Sequence, residues 1–113
     1  ELQTYLDRMA AAFSAGDAKA CAILFTLDAQ LHSSFAPPAI GRAAIEALHE
    51  DWVAEPSAKS FVLVDHGSAG DIAWCVCRFS EGHEAGNGTS QLILESQTNG
   101  AWLARSSGLF GDD

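Results

Sequence analysis

The helical hydrophobic period of this chain stops for good near Glu55-Pro56, and that change limits the folds open to it. Before it, Leu2, Leu6, Met9 and Phe13 stand at helical spacing with Tyr5 and Ala12 beside them, which makes one apolar helix stripe. After it no helical period returns. Four segments alternate instead, Ala58 to His66, Asp71 to Glu81, Thr89 to Gln97 and Ala101 to Phe110. Turn chemistry stands at each junction: Gly67-Ser68-Ala69-Gly70, Glu84 to Gly88 with its Asn87-Gly88 pair, and Asn99-Gly100. Helices followed by consecutive hairpins predict an α+β domain whose helices cover one face of a strongly bent antiparallel meander.

The helical half divides into pieces. Gly16 ends the first helix, and Asp17 caps a short second one running through Ala20, Cys21, Leu24 and Phe25. Ala29 to Phe35 reads as a strand entering the rigid loop Ala36-Pro37-Pro38, where two prolines remove backbone donors. Gly41-Arg42 opens a third helix with Ile45, Leu48, His49 and Trp52 on one face, and Glu55-Pro56 ends it. A length of 113 residues supplies one core, so a single domain over 1–113 is expected.

Both faces of the strands are apolar. Ile72, Trp74 and Val76 alternate with Ala73, Cys75, Cys77 and Phe79, and Phe61 and Leu63 alternate with Val62 and Val64. A sheet with one solvated face would alternate polar and apolar residues, and the helices can cover only one side. A second copy of the chain is the expected cover for the other, giving a homodimer through the sheet.

Six Lys and Arg against fifteen Asp and Glu leave a net charge of −9, which repels a phosphate backbone or an anionic bilayer; neither nucleic acid nor membrane is an expected partner. No apolar run approaches the roughly 20 residues of a bilayer crossing, and Glu1 to Tyr5 lack the basic start of a signal peptide. Cys21, Cys75 and Cys77 are an odd set without a C-x-x-C pair, which reads as reduced, buried thiols in a cytoplasmic protein. Cys75 and Cys77 share a face, but no second pair or suitably spaced His joins them, so no metal and no cofactor is expected.

Several phrases point further. The break at Ser14-Ala15-Gly16-Asp17, the run Leu24-Phe25-Thr26-Leu27-Asp28-Ala29, the loop from Ala36-Pro37-Pro38 into Gly41-Arg42-Ala43-Ala44-Ile45, and the hairpin Gln97-Thr98-Asn99-Gly100-Ala101-Trp102 resemble the nuclear transport factor 2-like superfamily. Within it the chain is similar to the SnoaL-like branch. The resemblance implies a cystatin-like cone: a curved antiparallel sheet wrapped around N-terminal helices, homodimeric through the sheet, with an apolar pocket between sheet and helices. Ketosteroid isomerase, a relative in that superfamily, uses an Asp base, a Tyr and a late-strand acid. Aligned to it, those positions fall on Ser33, Met9 and either Gln91 or Leu92. The proton-moving set is missing, so steroid isomerisation by that mechanism is not expected.

What remains is a set of pocket candidates: Met9, Ser33, His49, Trp52, Trp74 and Gln91 for ligand binding, with His49 or His32 as acid-base. By the same resemblance, His49 takes the place of a pocket Tyr; an imidazole there exchanges protons near neutral pH, or is simply a satisfied core histidine. Strand parity turns His32 away from the pocket unless a bulge intervenes. Trp52 and Trp74 suit either a cavity wall or ordinary core, and Gln91 offers an uncharged amide to a ligand oxygen or to a neighbouring strand. Arg42 and Asp28 read as structural, and His66 and His83 as exposed strand-end residues. Ser33, Ser106 and Ser107 lack a His-Asp pair in readable spacing. The leading expectation is binding of a small, largely apolar or carbonyl-bearing molecule with no assignable catalytic set. The rivals are a cofactor-independent isomerase, cyclase or dehydratase, and a dimerisation module whose cone is filled.

Overall fold

The first helix of the computed structural model, which describes residues 2–54, 59–80 and 87–112, is α1, Leu2–Ser14. Its stripe buries Leu2, Tyr5, Leu6, Met9, Ala12 and Phe13. It ends in a glycine cap: Gly16 has φ 71°, its N–H donates to Phe13 O at 3.1 Å, and Asp17 N–H donates to Ala12 O at 3.0 Å. The left-handed residue thus satisfies carbonyls the helix would leave open. Asp17 then caps α2, Ala18–Ala22, by accepting from Ala20 N–H at 3.0 Å.

Here the structure departs from the helix expected through Phe25. The chain is already extended at β1, Phe25–Ser33, because tertiary partners claim the backbone carbonyls. Leu24 O accepts from the Tyr5 hydroxyl at 2.6 Å and from Ala104 N–H at 2.9 Å, while Phe25 O accepts from the Arg42 guanidinium at 2.6 and 3.0 Å. Tertiary bonds override local propensity at that point. Beyond the prolines a short strand, β2 (Ala39–Ile40), lies within the expected loop, and Gly41, at φ 91°, leads into α3, Arg42–Trp52.

Four strands follow: β3 (Ser60–Ala69), β4 (Ile72–Ser80), β5 (Gly88–Ser96) and β6 (Trp102–Gly111). They make one curved sheet in the order β2-β1-β6-β5-β4-β3. The meander from β3 to β6 is antiparallel as expected, but β1 runs parallel to β6. A parallel pair needs a long crossover, and α3 with the first three meander strands supplies it. The expected four-residue turn at Gly67 to Gly70 contracts to Gly70-Asp71, since Gly67, Ser68 and Ala69 still pair with Trp74, Ala73 and Ile72. Irregular register at Leu63/Asp65 and Ile93/Leu94 adds local bend. The expected boundaries at Glu55-Pro56, Ala58 and Glu81, the start of the second turn at Glu84, and His83 lie outside the described residues.

The core fills the space between the helices and the concave face, where Leu6, Leu24, Phe25, Leu31, Ile45 and Leu94 are fully buried. Val62, Val64, Ile72, Trp74 and Ile93 stand exposed on the other face. One apolar side of the sheet is covered and the other is open.

Candidate functional site

Between α1, α3 and the concave face the cone narrows to a cavity of about 30 Å³. That is room for a water molecule or two, far below the roughly 300–1,000 Å³ of a preformed site for a drug-sized ligand. Most of its wall is apolar, from Leu6, Met9, Phe13, Phe25, Leu31 and Phe61. Five polar side chains interrupt it: Tyr5, His49, Lys59, Ser90 and Ser107, all buried. No carboxylate is among the described residues lining it.

His49 is only 3% exposed and is ringed by Phe13, Phe25 and Trp52 at centroid distances of 6.1, 5.9 and 5.2 Å. Its Nδ1 lies 2.8 Å from Ile45 O. A carbonyl only accepts, so Nδ1 carries the proton and donates. Nε2 has no hydrogen-bond partner among the described residues and presents a lone pair from one wall of the cavity. Desolvation lowers the imidazole pKa from its usual value, the Ile45 bond opposes this, and the nearby Lys59 ammonium adds to the lowering.

Lys59 is 8% exposed, with Nζ 4.3 Å from the centre of the Phe13 ring, 4.6 Å from Phe79 and 5.5 Å from Phe61. Three aromatic faces hold the cation where water is thin. The Tyr5 hydroxyl is committed to Leu24 O, and burial pushes its pKa far up. Ser90 stands opposite Cys77 in the β4–β5 register, where its hydroxyl offsets part of the rise that burial gives the thiol.

The family model for the SnoaL-like domain matches residues 6–97. The chain belongs to the SnoaL-like family. Among solved structures, this SnoaL-like chain is similar to a nuclear transport factor 2-like protein with a cystatin-like fold from Novosphingobium aromaticivorans. The two share 22% identity over all of this chain and 80% of that one, with a TM-score of 0.77. A putative aromatic ring hydroxylase from Novosphingobium aromaticivorans is 21% identical over 99% and 87% of the two chains, with a TM-score of 0.79. A ketosteroid isomerase-like protein from Erwinia carotovora atroseptica is 14% identical over 100% and 98%, with a TM-score of 0.75. At these identities the likeness establishes the fold. No functionally curated protein matches the chain.

Of the residues expected in the SnoaL-like pocket, Met9, His49 and Trp52 line the cavity together. Trp74 and Gln91 do not. Both are exposed on the outer face, where they border a groove with His32, Ile93 and Ser106. The inward positions of β4 are taken by Ala73, Cys75, Cys77 and Phe79, and the Trp74 indole lies over Gly67 on the neighbouring strand. A Cβ on Gly67 would come within 2.6 Å of that indole, so glycine is what admits it. In β5 the inward set is Ser90, Leu92 and Leu94, which leaves Gln91 outside and makes Leu92 the lining residue of that pair. Ser33 stands at the end of β1, where its hydroxyl accepts from Phe35 N–H at 3.2 Å, and it is not part of the lining. His32 is turned outward, as strand parity indicates, with Nε2 3.1 Å from the Gln30 side-chain oxygen.

Sequence reasoning missed Lys59, Ser90 and Ser107 as lining residues, although parity could have found them. Lys59 is in phase with the buried Phe61, Ser90 with Leu92, and Ser107 with Leu109. All three cysteines are buried and unpaired. Burial raises Cys21 and Cys77 to about 11 and Cys75 to about 12. Among the described residues no three His, Cys, Asp or Glu side chains gather to hold a metal, and no helix is long and apolar enough to cross a membrane.

Proposed function

We propose that this SnoaL-like chain is a binding module for a small, largely apolar molecule, with the closed cone as its site. The observation that carries the reading is the buried His49 imidazole, whose Nε2 has no hydrogen-bond partner among the described residues, in the wall of a largely apolar chamber. A core built for folding alone is more cheaply filled with apolar side chains, because each buried polar group costs free energy unless it is partnered. A chamber of about 30 Å³ means that an occupant must displace wall atoms. Met9 is the natural one to yield, since an unbranched thioether repacks at small cost. The ring-directed names of the hydroxylase-like and isomerase-like neighbours are compatible with a cyclic occupant. Catalysis by paired carboxylates has no support in a wall with none among its described residues.

The module acts as a homodimer through the outer face of its sheet. Trp74 and Ile93 are directly opposite each other in the β4–β5 register, 43% and 47% exposed, with Ile72 nearby. A contiguous apolar patch of this kind is normally covered. The buried, unpaired thiols suit a reducing compartment, which favours the cytoplasm.

Met9 is the only methionine, so its methyl group gives a single NMR signal inside the cone. Titrating a panel of five- and six-membered ring compounds should move that signal saturably for at least one of them. A Met9 methyl indifferent to the whole panel up to millimolar concentration would remove the binding reading and leave the filled-cone assembly module.

A further inference from the structure

Resting on the pocket reading, we infer that the ligand is hydroxyl-bearing, a small cyclic alcohol or phenol that donates a hydrogen bond to Nε2 of His49. The helix itself determines this. Ile45 O can only accept, and it holds the Nδ1 proton at 2.8 Å, so the neutral ring has no second proton to offer the cavity. The opposite tautomer would set a nitrogen lone pair against a carbonyl lone pair at hydrogen-bond distance. Burial and the Lys59 charge both disfavour the imidazolium, the one form with donors on both nitrogens. A ketone or ether in contact with Nε2 would therefore place an acceptor against an acceptor. A hydroxyl there satisfies the nitrogen, and its remaining lone pairs can accept from another donor of the wall such as the Ser107 hydroxyl.

The rest of the wall agrees with this chemistry. Phe13, Phe25 and Trp52 surround the imidazole at 5.2 to 6.1 Å, which favours a flat or cyclic apolar body beside the polar point. With no carboxylate among the described lining residues, Nε2 is an acceptor that cannot also donate and that has no hydrogen-bond partner there, while the Tyr5 hydroxyl is spent on Leu24 O. Leaving a buried acceptor unmatched weakens binding by roughly tenfold or more relative to matching it.

The test uses matched pairs that differ in donor capacity: cyclopentanol against cyclopentanone, and phenol against benzene. Affinities are measured by NMR on the intact protein, with the Met9 methyl reporting occupancy. The expected result is at least a tenfold preference for the hydroxyl member of each pair. An upfield move of the His49 Nε2 nitrogen resonance should accompany it, with a much smaller move for ketone or benzene. In His49→Phe the preference should fall to within about twofold while binding persists. Should that variant not fold, the wild-type nitrogen shift decides alone. Equal binding within each pair, or a hydroxyl preference that leaves Nε2 unmoved, overturns the hydroxyl inference and leaves the pocket reading standing. Binding of none of the four probes at the Met9 methyl overturns the inference and weighs against the pocket as well. Including an aliphatic alcohol ensures that phenol ionisation beside Lys59 cannot by itself produce the pattern.

Discussion

The Nδ1–H of His49 donates to the carbonyl oxygen of Ile45, one turn earlier in α3, and this bond fixes the tautomer of the one histidine among the described residues of the cone wall. It also makes the ring part of the fold's proton balance. The His49 pKa is lowered, with desolvation the main cause, while the unfolded chain titrates near the ordinary value of about 6.5. Between those two values the unfolded state binds more protons than the folded one, so stability rises with pH across that interval. The stability is fully present above about pH 6.5 and is lost as pH falls through the folded midpoint. Urea denaturation of wild type and His49→Phe between about pH 5 and 7.5 checks this. The wild-type curve should decline on the acid side more steeply than the variant's, and parallel curves would contradict the assignment.

The thiols give the opposite sign. With Cys21 and Cys77 raised to about 11 and Cys75 to about 12, the folded state holds protons that the unfolded state begins to lose above its own thiol pKa of about 8.5. Their contribution is present below that value and is lost as pH rises toward 11 to 12. At pH 8 a disulfide-exchange reagent should react with the native protein far more slowly than with the protein in denaturant, where three thiols should titrate at once. A fast native phase would show a thiol more exposed than this packing allows.

Period and turn chemistry made the order of elements legible, because Leu2 to Phe13 and the turn at Asn99-Gly100 signal locally what they do globally. The parallel pairing of β1 with β6 was not legible, since it depends on where Leu24 O and Phe25 O find donors after the chain has folded. The site was half legible for a different reason. On α3 a single stripe is apolar, so the placement of His49 beside Ile45 follows from the spacing. On β4 both faces are apolar, so hydrophobicity could not say whether Trp74 or Ala73 faces the cone. Gly67 opposite Trp74 was the available signal, a bare backbone suited to receive an indole. Lys59 escaped because a lysine is ordinarily exposed, and nothing local announces the ring faces of Phe13 and Phe79 that enclose it.

Gly88 is the most demanding position in the sheet for a side chain. A Cβ there would run into Phe110 O and come within 2.5 Å of the Phe79 ring, both of them on strands paired to β5. Overpacking of this kind costs about 1–3 kcal/mol. Gly88→Ala should therefore lower Tm by several degrees, on the scale of about 4–8 °C per kcal/mol for a small domain. Gly67→Ala is the useful comparison, because its obstacle is the exposed Trp74 indole, which can swing aside. Thermal scans should rank Gly88→Ala as the more damaging, and the reverse order would mean that Trp74 is held more firmly than an isolated chain explains.

The outer face supplies the last prediction. Trp74 and Ile93 oppose each other across β4 and β5, each about half exposed, beside Val62, Val64 and Ile72. If a second copy covers this face, Trp74 lies near the centre of a two-fold interface, and one substitution appears twice. Burying two unpaired carboxylates there costs at least the value of two strong hot spots, about 4 kcal/mol, or roughly a thousandfold in dissociation constant. Because the indole points away from the core, Trp74→Glu should leave the monomer folded. Light scattering at micromolar concentration should give a wild-type dimer and a Trp74→Glu monomer with unchanged far-ultraviolet circular dichroism. Ile93→Glu should act in the same direction, whereas Leu27→Glu, exposed on β1 beyond the patch, should remain dimeric. A wild-type monomer at this concentration would remove the dimer, and a Leu27→Glu protein that also dissociates would move the contact to another face.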